Sequence, residues 1–150
     1  MTADTFVDPE VEAVLARTRE ANSAWMQGDA SVYASLNSQT EDYTIMGPFG
    51  GPTSVGFERW SQKASNIVKN FQNGESDLRL ITSYVSGDLM VLVLHEEQHG
   101  EIGGSADQKW NLRVTQVYRR EDDQWRAVHR HADPLSQLRT LAETTALARE

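Results

Sequence analysis

The run Leu89-Met90-Val91-Leu92-Val93-Leu94 is apolar at every position. Strand side chains alternate between the two faces of a sheet, so a strand of this composition offers neither face to water. Gly87-Asp88 precedes it as a two-residue hairpin signal, and "LRLITSYVS" (78–86) stands before that. The run therefore reads as the middle of an antiparallel meander. Helices of the same chain can cover one face. The other face needs a second cover: a C-terminal helix for part of it, and a second copy of the chain for the rest.

Helical patterns flank the meander. "DPEVEAVLARTREANSAWMQG" (8–28) opens with Asp8 as N-cap and Pro9 at the first helical position. Val11, Val14, Leu15, Thr18, Asn22 and Trp25 follow at helical spacing, and Gly28 is the natural stop. Asp29 caps a shorter helix carrying Val32, Tyr33 and Leu36. "DYTIMG" (42–47) is a short strand and "GPFGGP" (47–52) a loop, since its prolines and glycines cannot continue a ladder. A third helix sets Phe57, Trp60, Ala64, Ile67, Val68 and Phe71 on one face, with Asn73-Gly74 ending it. After the strand at 89–99 come a glycine-bearing loop (100–108), a strand (109–120), a tight turn (121–124) and a strand (125–132). Asp133-Pro134 repeats the cap-plus-proline signal and opens a last helix striped by Leu135, Leu138, Leu141 and Thr145. Helices first and a meander afterwards make an α+β fold, and 150 residues suit one domain, 1–150.

Composition narrows the partners. A formal net charge of −8 disfavours nucleic acid and anionic membrane, both of which need a basic surface. The absence of cysteine excludes disulfides and thiolate metal sites and fits a reducing, cytoplasmic setting. Residues 1–10 lack the apolar core of a signal peptide, and the aliphatic run at 89–94 is far too short to span a bilayer.

Four stretches carry a family resemblance: "W..GD.S.Y..L" (25–36), "DYTIMGPFGG" (42–51), the helix around Trp60, and "RVTQVYRREDDQWRAVHRHADPL" (113–135). Together they resemble the nuclear transport factor 2-like superfamily, in its SnoaL-like and ketosteroid-isomerase-like branch of small bacterial proteins. The last stretch is also similar to the final hairpin of the association domain of calcium/calmodulin-dependent kinase, a non-catalytic oligomerisation module. The resemblance implies a cystatin-like, cone-shaped curved antiparallel sheet wrapped on the N-terminal helices, with an extra C-terminal helix. It implies a pocket at the wide end and a homodimer contact on the convex face. It also aligns the isomerase's base aspartate with Gly47, and its oxyanion-binding Tyr and Asp with Ala21 and Gln116, so that all three groups are missing here. The catalytic Asp of the SnoaL cyclases would fall near Ala132.

Alternation then sorts the strands. On 109–120, Trp110, Leu112, Val114, Gln116 and Tyr118 form the core set. On 89–99 the family register puts Met90, Leu92, Leu94, Glu96 and Gln98 inward. For 125–133, periodicity favours Trp125, Ala127, His129, His131 and Asp133 as interior, because that set holds the tryptophan. The resemblance favours Arg126, Val128, Arg130 and Ala132, with a three-residue turn setting Gln116 opposite Arg130. The resemblance is followed here, which turns both histidines outward. His129, His131 and Asp133 at i, i+2, i+4 could chelate a metal, but no further ligand stands at a familiar spacing and Asp133 serves as a cap, so no metal or cofactor is expected.

The resulting pocket gathers Glu96, Gln116 and Arg130, with Trp25 and Tyr33 on helices and Tyr43 or Trp60 near the mouth. A buried guanidinium must meet an anion. Arg130 can pair with Glu96 across Gln116, or it can hold the carboxylate of a ligand in bidentate fashion. Glu96 among apolar neighbours is a candidate general base, with Arg130 as its catalytic companion. The expected function is a small-molecule pocket for a small hydrophobic or acidic ligand. The alternatives are an isomerase, cyclase or dehydratase with Glu96 as base, or a non-catalytic oligomerisation module.

Overall fold

Helix α1 spans Pro9–Met26, and the Asp8 carboxylate caps it by accepting the Glu10 N–H at 2.7 Å. It buries Val11, Val14, Leu15, Thr18, Ala21 and Asn22. The structure is a computed structural model that describes residues 7–150, so the leader-free reading of residues 1–10 lies largely outside the described residues. Asp29 caps α2 (Ala30–Leu36) through the Val32 N–H at 3.0 Å. Then follow β1 (Gln39–Met46), β2 (Ser54–Val55), α3 (Phe57–Ile67) with one 3₁₀ turn (Val68–Asn70), β3 (Phe71–Ser86) and β4 (Leu89–Ile102). The chain continues through β5 (Asp107–Lys109), β6 (Leu112–Glu121), β7 (Gln124–Asp133) and α4 (Leu141–Ala148). The mixed α+β fold holds a curved, open seven-stranded sheet in the order β2-β1-β7-β6-β4-β3, with β5 on β4. All pairings are antiparallel except that of β1 with β7, which is parallel.

Val11, Val14 and Leu15 of α1 join one core with Met90, Leu92 and Leu94 of β4 and Val114 and Tyr118 of β6. The inward side chains of β4 are fully buried, whereas Val91 and Val93 on its other face are half-buried. The C-terminal end of α1 approaches the sheet at a notch of glycines. A Cβ on Gly28, whose φ is 77°, would lie 2.3 Å from the Phe71 carbonyl oxygen. One on Gly74 would lie 2.6 Å from the His99 carbonyl and 2.7 Å from that of Met26. Backbone approaches backbone there because these glycines carry no Cβ, with the Met26 side chain packed beside them.

Three elements differ from the sequence expectation. The third helix stops before Phe71, which opens β3, and Asn73-Gly74 sits in a β-bulge between Gln72 and Glu75, with Asn73 at φ 53°. The positive φ that asparagine and glycine supply serves a bulge as well as a helix stop. Asp133 does not cap a helix. Its carboxylate binds the Arg113 guanidinium with two bonds of 2.9 Å and accepts the Leu135 N–H, so β7 runs to its end and α4 starts later. Thr140 and Glu143 form the capping box of that helix. Helix α4 has no buried residue, and Leu138 and Leu141 are exposed, so it does not cover the sheet as expected.

The third difference is in β7. The turn has two central residues, Asp122 and Asp123, with φ of 51° and 61°, as in a type I′ turn, instead of three. Trp125 and Ala127 are buried. Val128 is then the extra residue of a bulge, because Tyr118 pairs with Ala127 and Val117 with His129. Beyond it Gln116 lies opposite Arg130, as expected, and Ala132 is buried. Each of the two rival face assignments therefore holds for half of the strand: Arg126 and Val128 are not interior, whereas Trp125 and Ala127 are.

Candidate functional site

Glu96, Gln116 and Arg130 come from β4, β6 and β7, three neighbouring strands of the sheet. Their side chains converge because β4 and β6 pair with no irregularity from Leu89 to Glu96, which preserves alternation along both. Arg130 donates from Nη2 to Glu96 Oε1 at 2.7 Å and from Nη1 to Glu96 Oε2 at 2.9 Å. Nη1 also reaches Gln116 Oε1 at 2.5 Å. Asn22 on α1 donates from Nδ2 to Glu96 Oε2 at 2.9 Å. Gln116 passes the chain on by donating to the Tyr118 hydroxyl, which donates in turn to Thr18 Oγ1 at 3.0 Å. Thr18 ends the chain on the Val14 carbonyl at 2.8 Å.

This arrangement is the internal pairing of Arg130 with Glu96. Glu96 is 1% exposed, and its two oxygens accept three N–H donors, which occupies three of about four lone-pair sites. Burial opposes the charge on Arg130, but the Glu96 carboxylate more than offsets that and holds the guanidinium above the ordinary arginine range. Burial pushes the Tyr33 phenol up to about 12 and raises that of Tyr118 as well, so both hydroxyls stay protonated.

The network forms the floor of a cavity of about 260 Å³. Trp25, Tyr33, Trp60, Glu96, Gln116 and Arg130 all line it. Tyr43 does not. It is 1% exposed, inside the core, with its ring 6.2 Å from that of Trp60. The walls are aromatic: Trp25 stacks on Trp60 at 6.2 Å and meets Tyr33 edge-on at 4.8 Å. Trp110 packs on Phe71 at 5.5 Å and on Phe49 of the 47–52 loop at 5.9 Å. Sequence reasoning left Asn22, Thr18, Gln98 and Lys63 out of the pocket, though all four line it. Thr18 and Asn22 gave one signal, as polar residues on the core stripe of α1. Lys63 stands three residues after Trp60 and four before Ile67, at the edge of the apolar face of α3, and that spacing was its one signal.

Ala21, Gly47 and Gln116, the positions where the resemblance would put an isomerase's acid and base groups, also line the cavity. Ala132 is buried, and Asp133 is engaged by Arg113. His129 and His131 lie opposite Val117 and Thr115 in β6. His129 Nδ1 stands 2.8 Å from Thr44 Oγ1, and burial together with the neighbouring His131 lowers its pKa. Among the described residues no group of three His, Asp or Glu side chains is placed to hold a metal ion, and no helix is long and apolar enough to cross a membrane.

Solved structures share this architecture. A candidate dehydratase of the NTF2-like family from Streptomyces avermitilis is 21% identical and superposes with a TM-score of 0.70, covering 85% of this chain and 97% of the other. A candidate ketosteroid isomerase from Parabacteroides distasonis is 18% identical with a TM-score of 0.67, covering 93% and 98%. The CaMKII hub of S. rosetta is 18% identical with a TM-score of 0.65, covering 86% and 98%. None of the curated proteins matches the chain. At these identities the likeness is one of fold, and it extends to proteins named for catalysis and for assembly alike. The profile of the SnoaL-like domain matches residues 13–135, and the chain belongs to that family.

Proposed function

We propose that the chain binds a small, mainly apolar molecule in the cavity, its body against the aromatic walls. The observation that carries this is the combination of aromatic walls with a floor that satisfies itself. Sites for small molecules are concave and mostly apolar with a few placed polar groups, usually of roughly 300–1,000 Å³, and this cavity, at about 260 Å³, falls just below that range and suits a small guest. The Glu96–Arg130–Gln116 chain needs no ligand to stay paired, so the cavity can fill and empty without stranding a buried charge. An isomerase, cyclase or dehydratase with Glu96 as base has less support, because three donors already hold its oxygens.

Filling the cavity tests the reading. Ala21 on α1 lines it and makes no part of the polar chain. Ala21→Phe is expected to abolish the binding of neutral naphthaleneacetamide, measured by calorimetry, while the far-ultraviolet circular dichroism stays unchanged. Unaltered affinity in a folded variant would place the ligand elsewhere.

A second reading concerns assembly, and the exposed side of β4 favours it. Val91, Val93 and Val117 share the outer face, are only half-buried, and among the described residues α4 does not pack over them. We infer a homodimer through that face.

A further inference from the structure

The cavity contains three charged side chains: Glu96, Arg130 and Lys63. The first two neutralise each other at the floor through two bonds of 2.7 and 2.9 Å. Lys63 is different. It projects from α3 at the rim, where Nζ donates to Ser54 Oγ at 2.8 Å, and Ser54 also lines the cavity. Among the described residues no carboxylate lies within ion-pair distance of Lys63. Of the charged residues that line the cavity, Lys63 is thus the one without a carboxylate partner among the described residues. A neutral hydroxyl orients this ammonium toward the cavity rim, and two of its three N–H bonds remain for a guest.

We propose that the ligand is an amphipathic monoanion whose carboxylate, or a chemically similar acid group, sits at the rim on Lys63 and Ser54 with its apolar body among Trp25, Trp60 and Phe71. The inference rests on the cavity reading above and deepens it, because it moves the acid-recognising residue from Arg130 to Lys63. Arg130 is a poor candidate for that task. An anion approaching it would face the Glu96 carboxylate that already takes its two terminal nitrogens, and displacing Glu96 would leave a buried charge unpaired. The ammonium at the rim carries no such obligation, and it meets the acid group where water still reaches it, which limits the desolvation cost.

Matched probes separate the two claims. Naphthaleneacetate and naphthaleneacetamide have one ring system and nearly one shape, and they differ in charge. Calorimetric titration of the wild-type chain is expected to give about tenfold tighter binding of the acid than of the amide, the scale of one charge-assisted hydrogen bond. In Lys63→Met the acid is expected to lose its advantage over the amide, the two probes binding with equal affinity. Lys63 is exposed, so that variant keeps the core intact. Equal affinities for the two probes in the wild type would overturn the assignment of a monoanion while leaving the cavity reading in place. A preference for the acid that survives Lys63→Met would overturn the role of Lys63. Failure of both probes to bind would overturn both claims.

Discussion

Arg130 is the residue on which the site turns, and its partner is a carboxylate of its own chain. A buried pair of this kind is costly to break singly and much less costly to replace as a unit. Glu96→Leu alone is therefore expected to destabilise the fold by about 3–5 kcal/mol, since it strands the guanidinium. The double variant Glu96→Leu with Arg130→Met should recover most of that loss, less about 1–3 kcal/mol for the Asn22 donor and the Gln116 acceptor left idle. Urea unfolding of the three proteins decides it. A double variant no more stable than Glu96→Leu would mean that the ion pair is not the cause. The convergence of Glu96, Gln116 and Arg130 followed from the family resemblance, which set the register of 89–99 and turned Arg130 inward where periodicity alone favoured the histidines. The contribution of Asn22 was not legible in the sequence, since it depends on how α1 seats against the sheet. Tyr43 misled for a related reason: β1 pairs in parallel with β7, a long-range contact that no local pattern announces.

Strand β7 teaches the same lesson for whole elements. A two-residue turn followed by a one-residue bulge and a three-residue turn with no bulge give the same register beyond Val128. The sequence therefore specified the pairing of Gln116 with Arg130 without specifying the route to it. The two routes differ in which way Trp125 points, and that is where alternation and family resemblance disagreed. The C-terminal helix shows the converse. The Asp133-Pro134 signal was real as chemistry, but the Arg113 guanidinium across the hairpin took the carboxylate that would have served as cap. The bulge makes a sharp prediction about deletions. Removing Val128 leaves every partner on both sides of it in place, so that variant should fold and keep the probe-binding cavity. Removing Thr115, in the stretch of β6 that pairs without slack to β4, inverts the alternation of half the strand and should abolish cooperative unfolding. Thermal melts followed by circular dichroism distinguish the two. Equal tolerance of both deletions would contradict the register described here.

For the whole molecule, the apolar run that opened the sequence analysis sets the requirement that a single chain does not meet. Its inward side chains are sealed by α1, but Val91 and Val93 stay half-buried, because α4 stands away from the sheet. If a second copy supplies the cover, Val91→Glu or Val93→Glu should convert dimers to monomers in light scattering, with the circular dichroism retained. A dimer that persists in both variants would move the contact to another surface. This need for cover was legible from composition alone. The position of α4 was not, since an exposed helix leaves no hydrophobic imprint to read. The glycine notch between α1, β3 and β4 has a mechanical consequence for the cavity above it. The carbonyl oxygens of Phe71, His99 and Met26 occupy the space that a Cβ would need at Gly28 and Gly74, and a main-chain oxygen has no rotamer by which to turn aside. A side chain at Gly28 or Gly74 would therefore lift α1 off the strands, and with it the Thr18, Ala21 and Asn22 side of the cavity.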